Sequence, residues 1–162
     1  ETIKEPLIAG MLLGKTERAR ELGIQLVVEE GSRLEPLPKR INPEDLVTIL
    51  GNLIDNAFDA TREAIMGDPL FPSVRRVVEV SISDYGNEVI LEVVDQGCGL
   101  PDNISTAALV ERGVSSKDAS TRGVGLFLIH QLATRYLGEL EMTNNKNHGA
   151  RMTVYLPKDE QI

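Results

Sequence analysis

Apolar residues recur at helical spacing from Pro6 to Leu22, where Leu7, Ile8, Met11, Leu12 and Ala19 share one period and Gly23 closes the run. Ile24 to Val28 then reads as a strand. A turn-prone stretch from Glu30 to Pro38 follows, with a short edge strand expected over Leu37 to Ile41. The next helix carries the clearest start signal in the chain. Asn42 is a natural N-cap, Pro43 suits the first helical position, and Glu44 and Asp45 complement the positive end of the helix dipole. Leu46, Ile49, Leu50, Leu53, Ala57, Ala60 and Ala64 mark its buried face, and Gly67-Asp68-Pro69 ends it.

Two apolar runs of β type, 75–84 and 88–95, flank Asp84-Tyr85-Gly86-Asn87 and predict a hairpin. The second, Val89 to Val94, is apolar on nearly both faces, as a central strand would be. Residues 101–122 are rich in Pro, Ser, Thr and charge, with one short helix expected near Ala107 to Val110. A loop of that length inside a compact domain is commonly a functional lid or disordered. A helix over 126–137 and strands near 139–144 and 149–156, joined by the turn Asn144 to His148, complete the pattern. The order predicts an α/β two-layer sandwich, with about three helices on one face of a mixed sheet of about five strands.

Composition narrows the function classes. The 162 residues carry 25 acidic and 17 basic side chains, a net charge of −8, which argues against nucleic-acid binding through a broad basic face. It leaves a phosphate ligand open, because backbone N–H groups at a helix start hold phosphate without side-chain charge. No apolar run is long enough to span a membrane, so no membrane contact is expected. The N-terminus has no signal-peptide pattern. It also lacks an initiator Met, so a fragment of a longer chain is expected. The single cysteine, Cys98, fits a reducing compartment and reads as a small space-filler. Two histidines make histidine-rich metal chemistry improbable. His130 falls on the apolar face with Leu126, Ile129 and Ala133 and reads as packed or at an interface, and His148 as solvated.

Three segments carry candidate chemistry. Asn52 and Asn56, spaced i, i+4, project from one helix face, read as lying opposite the apolar stripe, with Asp59 and Glu63 nearby. Asn is a modest helix former where Glu or Lys is the usual solvent residue, and its amide oxygen suits Mg²⁺ beside phosphate oxygens. Asp95-Gln96-Gly97-Cys98-Gly99 follows a buried strand. There an Asp can accept the exocyclic amine of a purine, and glycines let backbone approach the ring. Gly123-Val124-Gly125-Leu126 opens a helix, where glycine suggests close approach of a ligand or an unusual φ, and the first-turn N–H groups form a phosphate site. Arg122 and Lys117 can add charge from the loop, or can equally be solvated surface residues.

The ordered series Asn52-Leu53-Ile54-Asp55-Asn56-Ala57, Asp95-x-Gly97-x-Gly99-Leu100, Arg122-Gly123-Val124-Gly125-Leu126 and Gly149 to Pro157 resembles the GHKL ATP-binding superfamily, which includes gyrase, histidine kinase and MutL. The match runs over about residues 22–157. The resemblance implies a Bergerat-type fold that binds ATP or ADP with Mg²⁺. By it, Asn56 ligates Mg²⁺ and Asn52 supports the phosphate–metal site. Asp95 binds the adenine amine, Gly97 and Gly99 frame the base, and Gly123 and Gly125 line the phosphates. Val124, Leu126, Arg122, Lys117 and Asp59 complete the nucleotide-binding set, with Lys117 counted beside Asn52 and Asn56 as catalytic.

Hydrolases of the superfamily, and its serine kinases acting on anti-sigma partners, carry a Glu four residues before the metal-binding Asn, placed as a general base. Asn52 stands there and cannot take a proton, so the chain looks like the catalytic domain of a sensor histidine kinase. Glu111-Arg112-Gly113-Val114-Ser115-Ser116-Lys117 resembles the lid of bacterial citrate and C4-dicarboxylate sensor kinases. The implied partners are a dimerisation hairpin bearing the phosphoacceptor histidine and a response regulator. The implied setting is the cytoplasmic side of an integral membrane sensor. Residues 1–22 are then expected to be the end of that hairpin or its linker, 23–158 the catalytic domain with its lid at 101–122, and 159–162 a tail. A superfamily ATPase, a serine kinase and a non-catalytic nucleotide-binding module are the competing readings.

Overall fold

A computed structural model describes residues 2–100, 121–144 and 149–159, with the side chains of 121–124 excepted. The expected lid with its short helix, Lys117, and His148 therefore lie outside the described residues. The elements are α1 (Pro6–Glu21), β1 (Gln25–Val28), α2 (Pro43–Gly67), β2 (Val77–Asp84), β3 (Glu88–Val94), α3 (Thr121–Arg135), β4 (Glu139–Asn144) and β5 (Ala150–Pro157). The five strands form one sheet in the order β1-β2-β3-β5-β4, with β1 parallel to β2 and every other pair antiparallel. The expected two-layer α/β sandwich with a mixed sheet is what the chain forms.

Local chemistry explains most boundaries. Asn42 caps α2 by accepting the Glu44 N–H at 2.9 Å, with Pro43 in the first turn, as its sequence predicts. Gly23 ends α1 at φ +73°, and the Ile24 N–H reaches back to the Ala19 carbonyl at 2.8 Å. The β2–β3 hairpin turns at Gly86, φ +86°, whose N–H is held by the Asp84 carboxylate at 2.9 Å. The strand expected over Leu37 to Ile41 does not form. Pro36 and Pro38 remove two ladder donors there, and Leu34 instead makes an isolated bridge to Ile3.

Alternate residues of β2 and β3 are buried on the helix side. Val78, Val80, Ile82, Val89 and Leu91 are fully enclosed, and β3 lies at the centre of the sheet. Each such side chain contributes about 1.5–3 kcal/mol of burial. The same core takes Ile8, Leu12 and Ala19 from α1 and Leu126, Ile129, Leu132, Ala133 and Tyr136 from α3. α1 thus packs on α2 and β1 within this one core. Tyr136 ties α3 to the start of α2: its hydroxyl donates to the Asp45 carboxylate and accepts the Asn42 N–H at 3.1 Å. Burial first, then the Asp45 carboxylate, raises the pKa of this phenol above its ordinary value. Among the described residues, no helix is long and apolar enough to cross a membrane.

Candidate functional site

Three elements meet at one end of the sandwich: the middle of α2, the turn that follows β3, and the start of α3. α3 begins at Thr121, two residues before Gly123, so Gly123 and Gly125 lie within its opening turns rather than at its cap. The helix also stops at Arg135, short of the expected 137, and Leu137 follows in the left-handed region at φ 61°. Gly125 has an ordinary helical φ; close approach is what it serves. A Cβ on it would sit 2.8 Å from the Asn52 Oδ1.

That approach changes the reading of the asparagines. Asn56 does not lie on a solvent face opposite the apolar stripe; it is buried at 3% exposure, and its Nδ2 has no hydrogen-bond partner among the described residues. The cause is tertiary, because α3 packs over this side of α2. Asn52 is half-buried, and its Nδ2 donates to the Thr48 carbonyl at 2.7 Å. Asp59, one turn further along, is half-buried.

Asp95 ends the central strand and is 4% exposed. Its Oδ1 accepts the Gly97 N–H at 2.8 Å, an Asx turn, while its own N–H donates to the Ala150 carbonyl at 3.0 Å. The glycines around it answer to space. A Cβ on Gly97 would lie 2.4 Å from the Ala60 carbonyl oxygen, and one on Gly149 would lie 2.1 Å from the Asp95 carbonyl oxygen, at φ +83°. Gly99 adopts φ +79° and lies against the Asn144 side chain, whose Oδ1 also accepts the Leu100 N–H at 2.8 Å. Asn144 and Ala60 therefore shape this turn. They lie 44 residues downstream and 37 upstream of Leu100 and Gly97, and nothing local in the sequence marks them.

Leu126 packs its side chain into the core at 7% exposure, away from any ligand. The backbones of Arg122, Gly123 and Val124 lie in α3, and Lys117 falls outside the described residues. His130 is exposed rather than packed, because it points away from the side of α3 that carries Ile129 and Ala133. Cys98 is exposed as well, with Sγ 3.1 Å from the Glu63 Oε2, so it fills no space in the core. Among the described residues, no group of three or more His, Cys, Asp or Glu side chains is placed to hold a metal ion.

The profile of the family described as "Histidine kinase-, DNA gyrase B-, and HSP90-like ATPase" matches residues 41–160. The sensor histidine kinase DpiB of Escherichia coli (strain K12) is 36% identical over 160 residues, 98% of this chain and 28% of that protein. The sensor protein CitS of Bacillus subtilis (strain 168) is 40% identical over 154 residues, 95% of this chain and 26% of that protein. The chain thus spans little more than a quarter of the length of these relatives. In fold it is similar to full-length ShkA, solved in complex with AMPPNP, with a TM-score of 0.69 at 22% identity over 96% of this chain and 31% of that one.

Proposed function

The chain belongs to the histidine kinase-, DNA gyrase B- and HSP90-like ATPase family, and on that premise we propose that it is the ATP-binding catalytic domain of a two-component sensor histidine kinase. In this reading it passes the γ-phosphoryl group of ATP to a histidine on a separate dimerisation hairpin, from which a response-regulator aspartate receives it. The observation that carries the reading is Asn56, a buried amide with a polar atom left without a partner, one turn from the Asn52 that meets Gly125. That atom is Nδ2, a donor with no partner among the described residues. An unsatisfied buried polar group costs about 1–3 kcal/mol, and an acceptor such as a phosphate oxygen would complete it while the amide oxygen stays available to a cation.

The residues fit the roles in turn. The Asp95 carboxylate, with one oxygen committed to the Gly97 N–H, offers the other to the exocyclic amine of adenine. Gly97 and Gly99 would frame the base by letting the turn lie close against the Ala60 carbonyl and the Asn144 side chain. Phosphate would meet α3 at its first turn, where the N–H groups of Thr121 to Gly123 have no carbonyl four residues back within the helix and the dipole is positive. Val124, Gly125 and Leu126 follow in that opening stretch, and Lys117 and Arg122 add charge. Asp59 borders the same face of α2. Asn52 is an amide and takes no proton. Its part is to orient, which suits a histidine acceptor whose nucleophilic nitrogen already carries a lone pair.

The donor set also fits Mg²⁺. One amide oxygen, from Asn56, would join phosphate oxygens and waters, which suits a hard ion that seldom takes an all-protein cage. When bound, that ion neutralises charge on the phosphate oxygens. Residues 1–22 are taken as the end of that hairpin or its linker, packed on the catalytic domain through Ile8, Leu12 and Ala19.

Two outcomes test the assignment. Asn56→Ala removes the unpartnered amide and installs the best helix former, so its unfolding temperature should not fall. Its Mg²⁺-dependent affinity for ATP should drop at least about tenfold; unchanged affinity would remove Asn56 from the site. Separately, the chain incubated alone with γ-labelled ATP and Mg²⁺ should gain no acid-labile phosphate, because His130 lies on α3 and not on an acceptor hairpin. Label on His130 or His148 would contradict that.

A further inference from the structure

The connection between α2 and β2 does more than join them. Its backbone is braced on itself: the Phe71 N–H donates to the Asp68 carbonyl at 2.8 Å, and the Phe71 carbonyl accepts the Arg76 Nε and Nη2 at 3.1 and 2.9 Å. Phe71 is buried, and the Arg75 guanidinium stacks on its ring 4.5 Å from the centroid. From that stack the Arg75 Nη2 reaches 21 residues along the chain to donate to the Gln96 carbonyl at 3.2 Å. Gln96 is the residue between Asp95 and Gly97.

The turn is therefore gripped from several sides. α2 presses on it through the Ala60 carbonyl, which the Cys98 N–H meets at 3.4 Å, and β5 holds the Asp95 N–H through Ala150. Arg75 supplies the grip from the α2–β2 connection. Its planar guanidinium is fixed by stacking, so its donor direction is set before any ligand arrives. The Arg75 Nε is buried with no hydrogen-bond partner among the described residues. A buried nitrogen left unsatisfied lowers stability, so the placing of Arg75 is accounted for by what its contact with Gln96 positions.

We infer that Arg75 is a positioning residue that sets the preference for adenine over other purines by holding the Asp95–Gly97 turn in register. The inference rests on the nucleotide-binding reading above. Asp95 distinguishes a 6-amino purine, which donates to its carboxylate, from a 6-oxo purine, which sets oxygen against oxygen. That distinction is as sharp as the carboxylate is fixed.

The test is calorimetric titration of the whole chain with Mg·ATP and Mg·ITP. The wild type should prefer ATP. Arg75→Met keeps an apolar stem over Phe71 but donates nothing, and its ATP-over-ITP preference should shrink about tenfold. Arg75→Lys keeps a charge and a donor without the planar fork, and its preference should shrink by less. An unchanged preference in either folded variant overturns the proposal, since loss of stability alone weakens both nucleotides alike. A wild type that binds neither nucleotide rejects instead the reading on which the proposal rests.

Discussion

Asp95→Asn should weaken ATP binding about 10- to 100-fold while leaving the fold intact. The substitution is nearly isosteric, and an asparagine Oδ1 can still accept the Gly97 N–H that Asp95 accepts at 2.8 Å, so the Asx turn survives. What changes is the second oxygen, which becomes an NH₂ group and sets a donor against the exocyclic amine of adenine. Losing a charge-assisted hydrogen bond at a site 4% exposed is worth about 1.5–3 kcal/mol. Unfolding curves that match the wild type, together with calorimetric affinities that do not, are the expected pair. Equal affinities would remove Asp95 from the site.

The largest expected loss of stability lies at the opposite end of β2. The Asp84 side chain is enclosed there, with Oδ2 accepting the Glu35 N–H at 2.8 Å and Lys158 Nζ at 2.9 Å, and Oδ1 accepting the Gly86 N–H at 2.9 Å. Burial pushes its pKa up, but the Glu35 and Gly86 N–H groups and the Lys158 ammonium outweigh burial and hold the carboxyl below its ordinary value. A carboxylate with a depressed folded pKa contributes stability that is present above its unfolded value of about 3.9 and lost as pH falls through the folded value. Urea midpoints should therefore hold steady near neutrality and fall in strong acid. Asp84→Asn should cost about 3–5 kcal/mol at pH 7, because it strands Lys158, whose side chain is 9% exposed. Asp84→Asn combined with Lys158→Met should recover much of that. A single variant as stable as the wild type would contradict the pairing.

Signals carried by neighbouring residues were legible in the chain. The cap at Asn42, the glycine at 23, the hairpin at Gly86 and the doubly apolar run that became the central strand all act over a few residues, and all four appear where the sequence places them. What required the fold was burial decided by a distant partner. Asn56 reads as a solvent-facing polar residue until α3 covers it. His130 reads as packed or at an interface from its place beside Leu126, Ile129 and Ala133, and in the fold those three are buried while His130 is exposed. The edge strand near Leu37 failed for a reason the sequence does hold, the prolines on either side of that leucine. At the site, the glycines at 97 and 125 announced close approach, but what approaches them in the folded chain is the Ala60 carbonyl and the Asn52 amide. Asn144 and Arg75 reach the Asp95 turn from afar, and no motif spacing reports such contacts.

Nucleotide binding by this chain is measured directly by isothermal titration of the intact protein with ATP in the presence and absence of Mg²⁺. One site per chain should appear, tighter with Mg²⁺ than without it and tighter for ATP than for GTP. No heat and no saturation at millimolar ATP·Mg²⁺, from a protein shown to be folded, would contradict the account.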